Sequence, residues 1–154
     1  MRALARRIQH LEAEIAEHDT EMKTLLDQAA PQLLAERGIG YVTAAVFYLA
    51  WSHPGRCRSE AAFARLGGTA PNEMTSGLNQ DRHRLNRGGD RKLNWALYFV
   101  AVTRQRCCPE TKEYMDMRTS QGKTEREATR CLKRFIARRV WRLLEHPELH
   151  LDKT

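Results

Sequence analysis

A serine followed by a dense run of cations lies near the middle of this chain. The segment reads Thr75-Ser76-Gly77-Leu78-Asn79-Gln80-Asp81-Arg82-His83-Arg84-Leu85-Asn86-Arg87-Gly88-Gly89-Asp90-Arg91-Lys92. Apart from Leu78 and Leu85 it holds nothing that builds a core, so its natural counterpart is a polyanion. A serine hydroxyl attacks phosphate only when a base or metal takes its proton and cations stabilise the charge of the transition state. Arg82, Arg84 and Arg87 are such cations. Asp81 and His83 follow further along, and spacing marks neither as the base. Ser76 therefore has three readings: a turn residue before Gly77, a passive phosphate contact, or a nucleophile. By spacing alone the nucleophile is the least favoured of the three.

The cationic run is the firmer signal. Gly88 and Gly89 separate Arg82, His83, Arg84 and Arg87 from Arg91 and Lys92, and Asp90 is a helix cap. That is the composition of a flexible phosphate-binding loop feeding a helix start, set against the ordinary reading of a solvated charged face. A second candidate is Arg37-Gly38-Ile39-Gly40 between two helical segments. In a helix-hairpin-helix, Gly38 and Gly40 let the backbone approach a phosphate, amides of the next helix bind it, and Thr43 adds a hydroxyl. A plain helix-helix turn needs glycine too, and both readings stand.

The elements that must position these residues read as all-α. Leu4, Ile8, Leu11, Ile15, His18, Met22 and Leu25 alternate in steps of four and three along a helix from Arg2 to Gln28. The steps fit a coiled-coil seam with one polar position, His18; the alternative is a helix packed on its own domain, and length and the regular seam favour self-association slightly. Helices follow over 29–36, 41–51 and, behind Ser59, 60–66. Residues 69–89 read as irregular, with a short strand inside 82–87. Asp90 opens a helix to about Arg106, Pro109 one to about Ser120, and Thr124 with Glu127 a final helix by capping-box spacing. Trp95 and Phe99 add apolar area to the first of these. Leu132, Phe135, Ile136, Val140 and Leu143 form the expected core stripe of the last. Its arginines either face water or pair with Glu127 and Glu145.

The chain has 154 residues, enough for one domain with a core, and a formal net charge of +7, which favours nucleic acid as partner. Cys57, Cys107, Cys108 and Cys131 form no Cys-x-x-Cys pair, so no zinc site is expected. No signal peptide or membrane-spanning run is visible, and we expect a reduced, cytoplasmic protein.

An ordered series of short motifs resembles a known family. Gly38-Ile39-Gly40 is followed by Thr43-Ala44-Ala45, Phe63-Ala64, Gly67-Gly68, Ala70-Pro71, Ser76-Gly77, Arg82-His83-Arg84-Leu85-Asn86-Arg87-Gly88-Gly89-Asp90, Arg118-Thr119, Gly122-Lys123 and Arg130-Cys131-Leu132-Lys133-Arg134. The series resembles the C-terminal domain of the insertion-sequence-110 (110/116/902) family of bacterial transposases, from about Leu33 to Leu144. The resemblance implies a transposase C-terminal domain, placed over 29–146, behind the coiled-coil helix of 1–28; the tail over 147–154 reads as flexible from its position at the terminus. The resemblance implies DNA transposition with Ser76 as a nucleophile that forms a phosphoserine link to DNA. It also implies oligomers with composite sites, a bridge RNA that selects the DNA, and magnesium held by a separate N-terminal RNase H-like domain. No such domain or acidic cluster is recognisable in this sequence, so no cofactor is expected here and the chain alone is not expected to complete the reaction. The rival reading is a non-catalytic helix-hairpin-helix module that binds nucleic acid; a fragment that merely oligomerises is the third.

Overall fold

The computed structural model describes residues 2–73, 83–85 and 88–148. The fold is all-α: α1 (Arg2–Ala29), α2 (Pro31–Leu34), α3 (Tyr41–Trp51), α4 (Glu60–Leu66), α5 (Arg91–Cys107), α6 (Pro109–Ser120) and α7 (Glu125–Glu145). One antiparallel ladder of two three-residue strands, β1 (Pro71–Glu73) and β2 (His83–Leu85), lies between α4 and α5. Its register pairs Pro71 with Leu85, Asn72 with Arg84 and Glu73 with His83.

Local chemistry sets the helix boundaries. The Ser59 hydroxyl accepts from the Ala62 amide at 3.2 Å, and the Asp90 carboxylate from the amides of Lys92 and Leu93 at 2.8 and 3.0 Å. Pro31 and Pro109 open α2 and α6, where a missing amide costs nothing. The capping box of α7 is complete: the Glu127 carboxylate accepts from the Thr124 amide at 2.9 Å, and the Thr124 hydroxyl accepts from the Glu127 amide.

The long helices α5 and α7 form the centre, with α3, α4 and α6 laid against them. Phe47, Phe63, Leu33, Leu93, Leu97, Ile136, Leu143, Val100 and Val140 are fully buried between them. Each contributes roughly 1.5–3 kcal/mol by leaving water. Glu145, at the end of α7, accepts from the Trp51 indole at 2.8 Å and the Gly55 amide at 2.7 Å, and so fastens the end of α3 and the turn after it. The Trp141 indole donates to the Cys57 carbonyl at 3.1 Å.

Three sequence expectations need correction. Phe135 is not in the core stripe of α7 but 54% exposed; Ala128, Ala137 and Leu144 bury in its stead. Trp95 and Phe99 also face outward. The arginines of α7 do not pair with Glu127 or Glu145. Arg138 and Arg142 pair with Glu60 of α4, and Arg139 with Glu36 in the turn after α2, while Arg126, Arg130 and Arg134 are exposed, as the reading of a water-facing side had it.

The long first helix forms as expected. Leu4, Ile8, Leu11 and Ile15 are exposed along it, while Met22 packs on the core and Leu26, not Leu25, is buried. The helix thus docks by its last two turns, and among the described residues nothing covers Leu4, Ile8, Leu11 and Ile15. Of the tail expected over 147–154, residues 149–154 lie outside the described residues.

Candidate nucleic-acid interface

The turn before α3 is built around Gly38. Its φ is +84°, a conformation that L side chains avoid. A methyl group there would also lie 3.1 Å from Arg104 Cγ and 3.6 Å from Thr103 Cγ2, so the glycine is required by conformation and by its approach to α5. Arg104 secures the same turn: its Nε donates to the Arg37 carbonyl at 2.7 Å, and its guanidinium pairs with Glu36 at 3.0 Å. Arg139 of α7 pairs with the other Glu36 oxygen at 2.7 Å. Gly40 is the N-cap of α3, in extended backbone and with open space around it. The Thr43 hydroxyl accepts from the Gly40 amide at 3.0 Å and donates to the Gly40 carbonyl at 2.9 Å, so a phosphate contact from it would replace one of these bonds.

The basic segment reaches α5 through a second glycine-dependent joint. Gly89 has φ +132°, and a Cβ on it would sit 2.7 Å from the Leu66 carbonyl oxygen. The Asp90 amide donates to that same carbonyl at 2.8 Å. The loop expected to be flexible is therefore pinned to the end of α4 at this point. Arg91 and Lys92 are exposed at the start of α5 and, among the described residues, pair with no carboxylate. His83 and Arg84 belong to β2. Ser76, Arg82 and Arg87 lie outside the described residues.

The two candidate phosphate contacts stand at opposite ends of one helix. Gly38 packs on Val100, Thr103 and Arg104 near the end of α5, whereas Arg91 and Lys92 open it. Lys92 and Arg104 are about 18 Å apart along the axis. Between them α5 exposes Trp95 and Phe99, expected only to add apolar area to the helix, and Tyr98, which the sequence had not singled out. The absence of any acidic residue from Arg91 to Cys107 was the available signal. Lys133 of α7 joins this surface: its ammonium donates to Asn94 Oδ1 at 2.8 Å and stands 5.9 Å from the Tyr98 ring centroid. Burial, and then the neighbouring charge of Arg130, lower its pKa. Among the described residues no three of His, Cys, Asp or Glu come together as a group that could hold a metal ion. Nor is any described helix long and apolar enough to cross a membrane.

A cation-rich helical domain with glycine-built joints is what the geometry defines. Residues 30–116 match the Transposase IS116/IS110/IS902 family, and the chain belongs to that family. Over 111 residues it is 30% identical to the insertion element IS110 uncharacterized 43.6 kDa protein of Streptomyces coelicolor. That match covers 72% of this chain and 27% of the relative.

Proposed function

We propose that the chain is the C-terminal part of a transposase that exchanges DNA strands through a serine nucleophile. The observation that carries this reading is the family match over 30–116, which brackets the hairpin, Ser76 and the basic run. In the proposed reaction the Ser76 hydroxyl gives up its proton and its oxygen bonds to a DNA phosphorus. The bond from that phosphorus to a deoxyribose oxygen breaks, and this oxygen leaves with a proton. Arg82, Arg84 and Arg87 hold the phosphate and its developing charge, with His83, Arg91 and Lys92 beside them. Gly38, Gly40 and Thr43 form the hairpin that approaches the DNA backbone.

The base, and the magnesium that would polarise the phosphate, belong in this reading to a separate RNase H-like domain. A guide RNA chooses the DNA. The exposed seam of α1 brings protomers together, which would place Ser76 of one beside the metal domain of another. The reaction takes place in the bacterial cytoplasm, and the present chain alone binds nucleic acid without completing it.

The test pairs binding with strand exchange. With target DNA, guide RNA, magnesium and the RNase H-like domain supplied, the wild-type chain yields exchanged strands, and Ser76→Ala yields none while binding DNA with unchanged affinity. Equal activity of the two proteins would contradict the nucleophile. Salt-sensitive binding with no exchange by either protein would leave the non-catalytic helix-hairpin-helix module as the function.

A further inference from the structure

The outward face of α5 does not do the work its residue types suggest. Trp95, Tyr98 and Phe99 are 45%, 52% and 53% exposed, although burying such rings elsewhere holds this fold together. Trp95 and Phe99 are one turn apart with ring centroids 5.1 Å apart at 40°, and so present two adjoining aromatic surfaces. Cations rim them on three sides. Arg91 and Lys92 stand at the helix start and Arg106 at its end, all exposed and, among the described residues, without a carboxylate partner. Lys133, with Arg130 near it, closes the side toward α7 at Tyr98.

Periodicity aligns these groups. Lys92, Trp95, Phe99 and Arg106 are spaced by three, four and seven, which keeps them on one face over about 21 Å. The stripe also reaches Thr103, whose methyl group lies against the Gly38 turn. It therefore joins the two points at which phosphate contact was proposed above. Aromatic surfaces flanked by unpaired cations match a strand whose bases are free to stack and whose phosphates need neutralising. A paired duplex hides its base faces and meets the cations alone. A protein partner would have to be acidic to suit this rim.

We infer that α5 is a base-stacking platform for unpaired DNA, with Trp95 and Phe99 under successive bases, Tyr98 beside them, and Lys92, Arg106 and Lys133 on the phosphates. The inference rests on the reading of the chain as a DNA-handling domain. It assigns to α5 the strand that any exchange must separate from its complement.

The experiment measures equilibrium binding of the full chain to a fluorescent single-stranded DNA, its blunt duplex and the RNA of the same sequence. Trp95→Ala and Phe99→Ala should each weaken single-strand DNA binding about 5- to 150-fold and leave duplex affinity unchanged. Trp95→Phe should retain most of the affinity while removing the part of the tryptophan quenching that comes from a stacked base. Circular dichroism melting controls for folding, since these side chains are exposed. Equal losses on single strand and duplex, or no loss on either, would overturn the platform. A loss confined to RNA would overturn the assignment to DNA, and a change in molecular mass without a change in binding would make the face a protein contact. Should the wild-type chain bind none of the three, the DNA-handling reading itself fails; duplex binding with no effect of the substitutions defeats the platform alone.

Discussion

Gly89 shows how closely single residues are constrained at the joints of this domain. Its positive φ and the Leu66 carbonyl 2.7 Å from a would-be Cβ leave no room for adjustment, because the obstacle is backbone. Gly89→Ala should cost about 1–3 kcal/mol, read as a lowered midpoint in urea, with a second effect on DNA binding because Arg91 and Lys92 are set by the same joint. An unchanged midpoint would show that the joint relaxes freely. Gly38 faces a different neighbour, the flexible Arg104 side chain, and the strain of a substitution there comes from conformation more than from contact. Gly88 and Gly89 read in the sequence as a flexible loop, whereas at Gly38 the need for glycine was legible. The reason was legible at neither joint, since Arg104 and Leu66 are distant in the chain. The exposure of Trp95 and Phe99 was hidden for another reason: composition marks an aromatic as apolar and says nothing of which way its face of the helix points.

Helices are where the sequence was most readable, because caps are local. Ser59, Asp90, Pro109 and the Thr124–Glu127 pair each act within one turn and mark the starts they were expected to mark, whereas the helix expected from Ala29 opens at Pro31. The Glu127 carboxyl is held below the usual glutamate range, first by its hydrogen bond from the Thr124 amide and then by that residue's hydroxyl. A carboxylate with a lowered folded-state pKa stabilises the fold above its unfolded pKa, and that support is lost as pH falls through the folded value. Thermal midpoints should therefore drop more steeply below about pH 4.3 for the wild type than for Glu127→Gln, which has no charge to lose. Parallel curves would show that the box does not contribute. Non-local pairs gave no such signal. Glu36, bound by Arg104 and Arg139 at once, ties the hairpin to both central helices. Its removal would leave two guanidiniums unpaired, one of them only 11% exposed. Glu36→Ala should destabilise the chain by about 3–5 kcal/mol, an upper range because the site is not sealed from water.

Across the whole molecule, charge and the first helix matter most. With a net charge of +7, the proposed DNA binding would be a matter of counterion release. The slope of log affinity against log salt should fall by about one for each phosphate-bound cation removed, so Lys92→Ala and Arg91→Ala together should flatten it by about two. An unaltered slope would take both residues out of the interface. The exposed seam of α1 is expected to join copies of the chain; Leu11→Glu should reduce the mass measured by sedimentation equilibrium and keep the helical content. The family was legible in the ordered motifs and is borne out by the match over 30–116. The bridge RNA, the oligomer and the nucleophile rest on proposal, since chemistry shared between domains leaves little trace in one of them.

The most direct measurement is the location of the covalent bond. The chain, the RNase H-like domain, guide RNA, magnesium and labelled target DNA are mixed, quenched in denaturant and digested, and the peptide that carries nucleotide is sequenced by mass spectrometry. We expect the nucleotide on Ser76, with no adduct in Ser76→Ala. An adduct on another residue, or exchanged strands with no protein-linked DNA at any time, would contradict a serine transposase mechanism.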